Sequence, residues 1–447
     1  MQKRNGDQTL SFTQLGISPK ELSRIAFACG FCVRKSGKIK VSDLLINMCT
    51  ESAKGTVSYN DLAARIECST GISVSRQACC DSFDDTCVLL FQQVLAVLID
   101  SKCRARKEIA GDLIETVVFQ RILLQDSTVI QLPASLFAVF SGVKNATSTV
   151  CNARIQCIYD LKTGAFVHFT IDPYSKNDFL ATLEIDIKPG DLVLRDRGYF
   201  TVEAARKHRD ANAHGIFRYK HGTTLFDPQT GDRIHLLELL RRNHSLDMAA
   251  QIGTTEKLTL RLIAAPIDEE TANLRRMRAK KEMNGHNPSQ ELLALMSWSI
   301  FLTTIDDPAV GFKQILKLYG LRWRIENIFK TLKGNLNFSK IHRVSEAQLR
   351  VTLTARFIMI VVLYQDAFMP LFRLVHATTD RVLSLMKFMR YITCNPARIP
   401  EMLTCFSPKC DIFRVLLRYC VYDKRKRPNF MTQAERVLTE VDELMRA

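Results

Sequence analysis

The chain has 447 residues, enough for about two or three domains with substantial cores. Lys and Arg number 62 against 46 Asp and Glu, a formal net charge of +16 that favours a polyanionic partner, most commonly nucleic acid. No apolar run is long enough to span a bilayer, because the longest candidate, Phe357 to Tyr364, is flanked by polar residues and indicates a buried helix segment.

The N-terminal residues and the cysteines indicate the compartment. The first residues lack an apolar signal core, so we expect a cytoplasmic protein with no membrane association. The 14 cysteines should then be reduced and behave mainly as small buried apolar residues. Cys29 and Cys32 form a Cys-x-x-Cys pair, but no second pair has matching spacing, so we expect neither structural zinc nor a catalytic thiol.

Residues 1–105 are predicted to form a helical, DNA-binding N-terminal region. Within it, Ser58 caps an amphipathic segment that ends near Ile66, and a short turn containing Gly71 leads to a second helix over residues 75–83. The second helix carries Arg76 and Gln77 near its start. The pair resembles a helix-turn-helix that reads the major groove, although a plain helical hairpin has the same pattern.

Residues 106–215 are predicted to form the first part of an α/β core. Strands are expected at 114–120 and 122–131, with Asp126 at the end of the second, and a hairpin is expected at Gly164 between 153–160 and 165–171. A short helix over 178–183 precedes a buried strand that runs into Asp196, and a helix follows over 201–211. This order is that of a ribonuclease-H-like fold.

The rest of the chain is predicted to interrupt and then complete that core. Residues 216–304 are predicted to be a mainly β insertion, within which the basic segment 275–281 is expected to be helical and either contacts phosphate or forms a solvated face. Residues 305–345 hold the second part of the core. A helical C-terminal region follows over 346–447, with a basic cluster at 424–427.

The segment from Tyr319 to Lys333 carries the strongest chemical signal. Read as one helix, it presents a polar stripe and an apolar stripe on different sides. The polar stripe holds Tyr319, Arg322, Glu326, Lys330 and Lys333. The apolar stripe holds Leu318, Leu321, Ile325, Ile328 and Leu332. This arrangement suits a carboxylate that holds a metal ion beside a phosphate backbone, or simply an amphipathic helix with salt-bridged charges.

Three acids from this core are candidate metal ligands. Singly, Asp126, Asp196 and Glu326 each resemble a helix cap or a salt-bridge partner. Together, two strands and a packed helix could bring them to one point, where the repelling carboxylates would need cations. Mg²⁺ prefers oxygen ligands, and two such ions can drive in-line displacement at phosphorus.

At this point the chain resembles the insertion-sequence-four family of DDE transposases. Tyr319, Arg322, Glu326 and Lys333 match its Tyr-x2-Arg-x3-Glu-x6-Lys signature, and Asp126 and Asp196 resemble its first and second acids. The resemblance covers roughly residues 126–333 and extends loosely to both helical ends. An insertion between the second acid and the glutamate is expected in this family.

The resemblance implies a Mg²⁺-dependent transposase, with Mn²⁺ as a substitute, that nicks DNA, forms a hairpin at the transposon end and joins that end to target DNA. Its partners would be double-stranded inverted-repeat ends and target DNA, bound by a homodimer at the bacterial nucleoid. Tyr319, Arg322, Lys330 and Lys333 would contact DNA phosphates.

The two tryptophans have a separate implied role. Trp298 matches the position at which relatives stack a flipped base, and Trp323 lies on the signature segment. The alternative for both is that they fill the core.

Two other functions remain open from sequence. One is a catalytically inactive DNA-binding regulator of the same fold, against which the intact triad argues. The other is a structure-selective nuclease without strand transfer, against which the complete signature and Trp298 argue.

Overall fold

A computed structural model describes residues 12–32, 39–52, 57–105, 113–145, 148–176, 180, 185–282, 287–335, 341–379, 381–423 and 429–447. Within these ranges the protein is a mixed α/β structure with one ten-stranded sheet covered by helices. The predicted helix over 178–183, apart from Leu180, and the basic cluster at 424–427 lie outside the described residues.

The N-terminal region is helical, as predicted, and both helices of the predicted helix-turn-helix are present. Its helices are α1 (Phe12–Leu15), α2 (Pro19–Ala28), α3 (Val41–Ser52), α4 (Tyr59–Thr70), α5 (Arg76–Asp81) and α6 (Asp85–Ala105). Ser58 and Ser75 cap α4 and α5 by accepting hydrogen bonds from the amides of Asp61 and Ala78. Gly71 ends α4 in the left-handed conformation, at φ 73°.

The sheet and its connecting helices occupy the middle of the chain. The elements are β1 (Arg121–Leu132), β2 (Ser141–Asn145), β3 (Ser148–Asp160), β4 (Ala165–Pro173), β5 (Asp191–Arg195), α7 (Val202–Asp210), β6 (His214–Arg218), β7 (Leu225–Phe226), α8 (Leu236–Asn243), β8 (Leu246–Ile252), β9 (Leu258–Pro266), α9 (Glu269–Glu282), α10 (Gln290–Leu295) and β10 (Trp298–Thr303). The strand order is β2-β3-β1-β5-β6-β10-β9-β8-β7, with β4 also paired to β3. Strands β1, β5 and β6 run parallel, and the other pairings are antiparallel.

The C-terminal part is helical and packs on the sheet. Its elements are α11 (Phe312–Gly320), α12 (Trp323–Asn335), α13 (Glu346–Val362), a π-helical segment (Leu363–Phe368), α14 (Met369–Thr378), α15 (Leu385–Cys394), α16 (Ile399–Met402), α17 (Asp411–Tyr419) and α18 (Phe430–Arg446). Every residue from 351 to 362 is buried, so α13 is the centre of the main hydrophobic core. The N-terminal helices α3 and α6 pack directly against it.

Two helical stretches, Asp85–Arg104 and Glu346–Thr378, are long and apolar enough to cross a membrane by length and composition, contrary to the expectation from sequence. The more apolar stretch, Glu346–Thr378, is 78% buried inside the protein. Both stretches contribute side chains to the same central cluster, which is the arrangement of core helices.

The prediction of a strand over 114–120 is wrong. Val117 and Val118 donate their amides to the Asp442 carboxylate on α18, at 2.8 and 3.2 Å, instead of pairing with a strand. The sheet begins at Arg121, and Asp126 therefore lies in the middle of β1 rather than at its end. The predicted hairpin at Gly164 is confirmed, with φ 70° at that glycine.

The predicted insertion over 216–304 differs from expectation in two respects. Its first strand is part of β6, which pairs in parallel with β5, and β10 pairs antiparallel with β6, so the region continues the core sheet. It also contains α8, α9 and α10, and is therefore mixed rather than mainly β. A second hydrophobic cluster, which includes Leu240, Ile252 and Leu302, gives the region its own packing centre.

The cysteines also depart from expectation. Cys405 and Cys410 form a disulfide, whereas all cysteines were expected to be reduced. The other twelve are free, and six of these are not fully buried. Cys29 and Cys32 are among the free thiols.

Candidate active site

The pairing of β1 with β5 brings two of the three acids together. These strands are parallel, and Gln125 is in register with Arg195. Asp126 and Asp196 follow these two residues, so they occupy neighbouring positions on adjacent strands. Strand β5 ends at Arg195, which leaves Asp196 at the edge of the loop that follows, with about half of its side chain exposed.

The signature segment is two helices rather than the one predicted. Helix α11 ends at Gly320, Leu321 and Arg322 form a turn, and α12 begins at Trp323. Across this break the amides bond to the carbonyl three residues earlier, as from Arg322 to Tyr319 at 3.2 Å and from Ile325 to Arg322 at 3.1 Å. The tightened turn preserves the overall direction of the chain, so residues four apart still face each other.

The predicted apolar stripe is confirmed, since its members Leu318, Leu321, Ile325, Ile328 and Leu332 are all buried. The predicted polar stripe is divided between the two helices and the turn. Tyr319 and Arg322 are buried at the break, whereas Lys330 and Lys333 are exposed farther along α12.

Arg322 is the point at which the three acids meet. Its guanidinium lies 2.5 Å from a Glu326 oxygen, 3.9 Å from Asp126 and 3.9 Å from Asp196. It also lies over the ring of Tyr319, 5.7 Å from the ring centre. The two strands and the following helix thus bring all three predicted acids around one cation.

Burial sets the electrostatics of this cluster. Burial, with smaller contributions from Glu326 and Asp196, raises the pKa of Asp126 to about 7 against the opposing effect of Arg322. Burial alone would lower the pKa of Arg322, but Tyr319 and the three carboxylates together raise it. A proton or a cation bound near Asp126 would therefore stabilise this cluster of carboxylates.

The three carboxylates are suitable ligands for a divalent cation, although in this structure they surround the guanidinium of Arg322. In the part of the chain that the structure describes, no three His, Cys, Asp or Glu side chains are grouped so as to hold a metal ion. Three carboxylates nevertheless supply the oxygen ligands that Mg²⁺ takes.

The two predicted DNA-contacting lysines have different surroundings. Lys333 is exposed and donates to the Val129 carbonyl on β1 at 3.0 Å. Burial lowers the pKa of Lys333, and Asp126 opposes that change. Lys330 is exposed on α12 and lines a groove on the neighbouring side of that helix.

The two tryptophans are also in different surroundings. Trp298 begins β10, packs against the second hydrophobic cluster and donates its indole N–H to the His244 carbonyl at 2.8 Å. Trp323 is 61% exposed at the start of α12, one turn before Glu326. The ring of Trp323 is therefore accessible to solvent, whereas the ring of Trp298 packs against the protein.

Sequence reasoning missed two cations beside the acids. Arg218 ends β6, next to β5, and interacts electrostatically with Tyr319, Arg197 and Asp196, while burial lowers its pKa. Arg197 follows Asp196 directly and is exposed. The parallel arrangement of β5 and β6 would have identified Arg218, but its strand had been assigned to the insertion.

Comparisons with known proteins agree on one class. A family model described as "Transposase DDE domain" matches residues 118–362, which is more than half of the chain and includes all three acids. The chain is 27% identical over 369 residues to the transposase for insertion sequence element IS231D of Bacillus thuringiensis subsp. finitimus, covering 77% of this chain and 76% of that protein. It is 25% identical over 364 residues to the transposase for insertion sequence element IS1151 of Clostridium perfringens, covering 76% of each.

Among solved structures, the chain is similar to a piggyBac transposase in a synaptic complex with hairpin DNA. The match covers 93% of this chain and 86% of that chain, at 10% identity and a TM-score of 0.40.

Proposed function

The chain belongs to the family of DDE transposases, and we propose that it carries out cut-and-paste transposition of an insertion sequence by metal-dependent nicking, hairpin formation and strand transfer at the inverted-repeat ends. The observation that carries the proposal is the convergence of Asp126, Asp196 and Glu326 on Arg322. A ribonuclease-H-like core is supported by the antiparallel strands β4, β3 and β1, continued by the parallel strands β5 and β6.

Asp126, Asp196 and Glu326 would hold the divalent metal that this family implies, taken as Mg²⁺ with Mn²⁺ as a substitute. The chemistry that a bound divalent ion supplies here is activation of a water or a 3′-hydroxyl and stabilisation of the leaving oxygen. The carboxylates themselves bind and orient, and their proximity explains why the cluster needs positive charge.

Arg322 would have a second role when DNA is bound. A phosphodiester brings negative charge to the cluster, and a guanidinium binds phosphate through paired hydrogen bonds. Arg322 would then exchange carboxylate contacts for the phosphate, with the Tyr319 ring keeping its guanidinium in place. Lys333, close to Asp126, would contact the adjoining phosphate.

The later steps of the proposed reaction concern the DNA hairpin. Forming a tight hairpin at the transposon end requires a base to leave the stack, and an aromatic ring can compensate for part of the lost stacking. Trp298 is proposed to stack that base, with Trp323 as a second aromatic surface. The protein would act as a homodimer, one subunit on each end, in the bacterial cytoplasm at the nucleoid.

Glu326→Gln is the variant that tests the function. It removes the charge that Arg322 pairs with and keeps the shape of the side chain, so binding to the element's end should persist. Nicking of labelled end DNA in Mg²⁺ should fall by at least about a hundredfold, the order of loss typical of a removed transition-state contact. Full cleavage by Glu326→Gln would exclude the proposed site.

Glu346→Gln is a matched control. Glu346 pairs with Arg350 at 2.7 Å, also in an i,i+4 ion pair, but on α13 away from the three acids. Its nicking rate should equal that of the unaltered protein. A comparable loss in both variants would indicate damage to the fold rather than to the site.

A further inference from the structure

A basic groove lies beside the candidate active site. It is lined by the side of helix α12 next to the one that carries Glu326. The groove has a volume of about 1430 Å³ and is bounded by α12, the connection between α14 and α15, the start of α15, the end of α17 and the start of α18. Small-molecule sites enclose about 300–1,000 Å³, so this groove is larger than a metabolite needs. Its size indicates a polymer segment.

The charge of the lining indicates a polyanion. Its cations are Arg324, Lys330, Arg381, Lys387 and Arg418, and its only acid among the described lining residues is Asp423. Lys387 pairs with Asp423 at 3.4 Å. No carboxylate in the described ranges pairs with the other four cations. Among the described residues, the groove therefore holds four cations that no carboxylate pairs with.

Two of these cations are already oriented by neutral groups. Arg381 donates to the Leu417 carbonyl at 3.1 Å, and Arg324 donates to the Tyr364 hydroxyl at 3.2 Å. Neither contact reduces the charge on the guanidinium. Preoriented cations lose less conformational freedom when they bind phosphate, which favours a specific site over a diffuse basic surface.

Aromatic rings accompany the cations. Tyr422 is 38% exposed in the lining, and Phe430 lies in the same wall with Arg324 over its ring at 5.6 Å. Grooves that bind unpaired nucleic acid combine positive charge along the backbone with rings on which bases stack.

The groove and the candidate metal ligand Glu326 share helix α12. Glu326 and Lys330 are one turn apart on α12, and Asn327, Lys330 and Thr331 line the groove. Lys330 therefore lies at the boundary between the catalytic face and the groove. A strand that passes the carboxylates can continue over Lys330 without leaving the helix.

We propose that this groove holds an unpaired DNA strand, gripped by its phosphates, as that strand leaves the active site. The inference rests on the proposed function for the origin of the strand. The groove would keep one strand of the opened transposon end apart from its complement while the other strand reacts.

The test is the salt dependence of binding to a labelled single strand of about 20 thymidines, with a duplex of equal length for comparison. Arg381→Ala combined with Arg418→Ala should make the slope of log K against log salt shallower by about 1.4, because each phosphate contact to a single strand contributes about 0.7. Affinity at about 0.1 M salt should fall by roughly 10- to 30-fold. Duplex binding should change much less.

Two further variants separate charge from packing. Arg381→Lys with Arg418→Lys should restore the slope, since each lysine keeps the cation. Arg390→Ala with Arg414→Ala removes the same charge from α15 and α17, at residues outside the groove lining, and should leave single-strand binding unchanged. An unchanged slope in the groove variant, or an equal loss in this control, would overturn the proposal.

The proposal for the groove and the proposal for the transposase activity can be contradicted by different results. If the unaltered protein nicks its DNA end in Mg²⁺ while the groove variant binds single strands normally, the groove proposal is wrong and the function stands. If groove-dependent single-strand binding is present but no metal gives cleavage, the proposed function is wrong, and single-strand binding by the groove stands without the proposed origin of that strand.

Discussion

Arg322 is the side chain on which the account of the site depends. Its pairing with Glu326 follows from their i,i+4 spacing and could be predicted from sequence. Its contacts with Asp126 and Asp196 could not, because they depend on the register of β1 with β5 across 70 residues of intervening chain. Sequence spacing therefore identified the acids but not the cation that they share.

Trp298 gives a prediction at the same scale. If its ring stacks a displaced base, Trp298→Ala should slow hairpin formation about 5- to 150-fold relative to nicking, matching the roughly 1–3 kcal/mol of one base–aromatic stack. Quantifying both products on a denaturing gel measures the ratio.

Trp298→Phe provides the control for that experiment. It keeps an aromatic ring but loses the indole hydrogen bond to the His244 carbonyl. Most hairpin formation should survive in this variant. Equal slowing of nicking and hairpin formation in Trp298→Ala would instead indicate that the residue packs the second hydrophobic cluster.

Among the secondary-structure elements, those with local signals were the most predictable. The caps at Ser58 and Ser75 and the left-handed Gly71 and Gly164 each act within a few residues, and each predicted element is present. The strand over 114–120 failed because Asp442, more than 320 residues away, takes the amides that a strand would have used. Local pattern contains no information about such a partner.

Helix α5 carries the prediction for DNA-end recognition. Arg76 and Gln77 are exposed at its start, where a recognition helix would contact bases. Arg76→Ala should weaken binding to the element's end by about 1–3 kcal/mol, roughly 5- to 150-fold, while binding to unrelated duplex DNA falls much less. Competition binding with specific and unrelated duplexes measures the difference.

Arg24→Ala is the control for Arg76→Ala, since Arg24 is also an exposed cation, on α2 and outside the α4–α5 pair. Deleting residues 1–105 would be a poor alternative, because α3 and α6 are packed against the central helix α13. Equal loss of specific and unrelated binding in Arg76→Ala would exclude a recognition role for α5.

For the whole molecule, both ends of the chain pack into the same structure as the region that matches the transposase family model. The N-terminal helices share one hydrophobic cluster with α13, and α18 is tied to the segment before β1 through Asp442. The sequence predicted helical regions at both ends but not that they would join one core. The continuity of the sheet through β6 and β10 was likewise not predictable, because strand adjacency depends on the complete fold.

Asp442 gives the stability prediction at this scale. Its carboxylate accepts from the Thr116 hydroxyl at 2.7 Å and from the amides of Val117 and Val118. Asp442→Ala leaves these donors without their acceptor and should lower the free energy of unfolding by about 1–3 kcal/mol in urea titration. Glu443→Ala, at the exposed neighbouring position, should change it by less than about 0.5 kcal/mol. Equal effects would show that the contact with the segment before β1 contributes little.

The most direct test of the central claim is incubation of the purified protein with labelled DNA carrying the flanking element's end, with Mg²⁺, with Mn²⁺ or with a chelator, followed by a denaturing gel. The account predicts an end-specific nick followed by a hairpin-sized product with either metal, and neither product with the chelator. Specific binding without cleavage in either metal would contradict it and indicate a DNA-binding regulator that retains the fold.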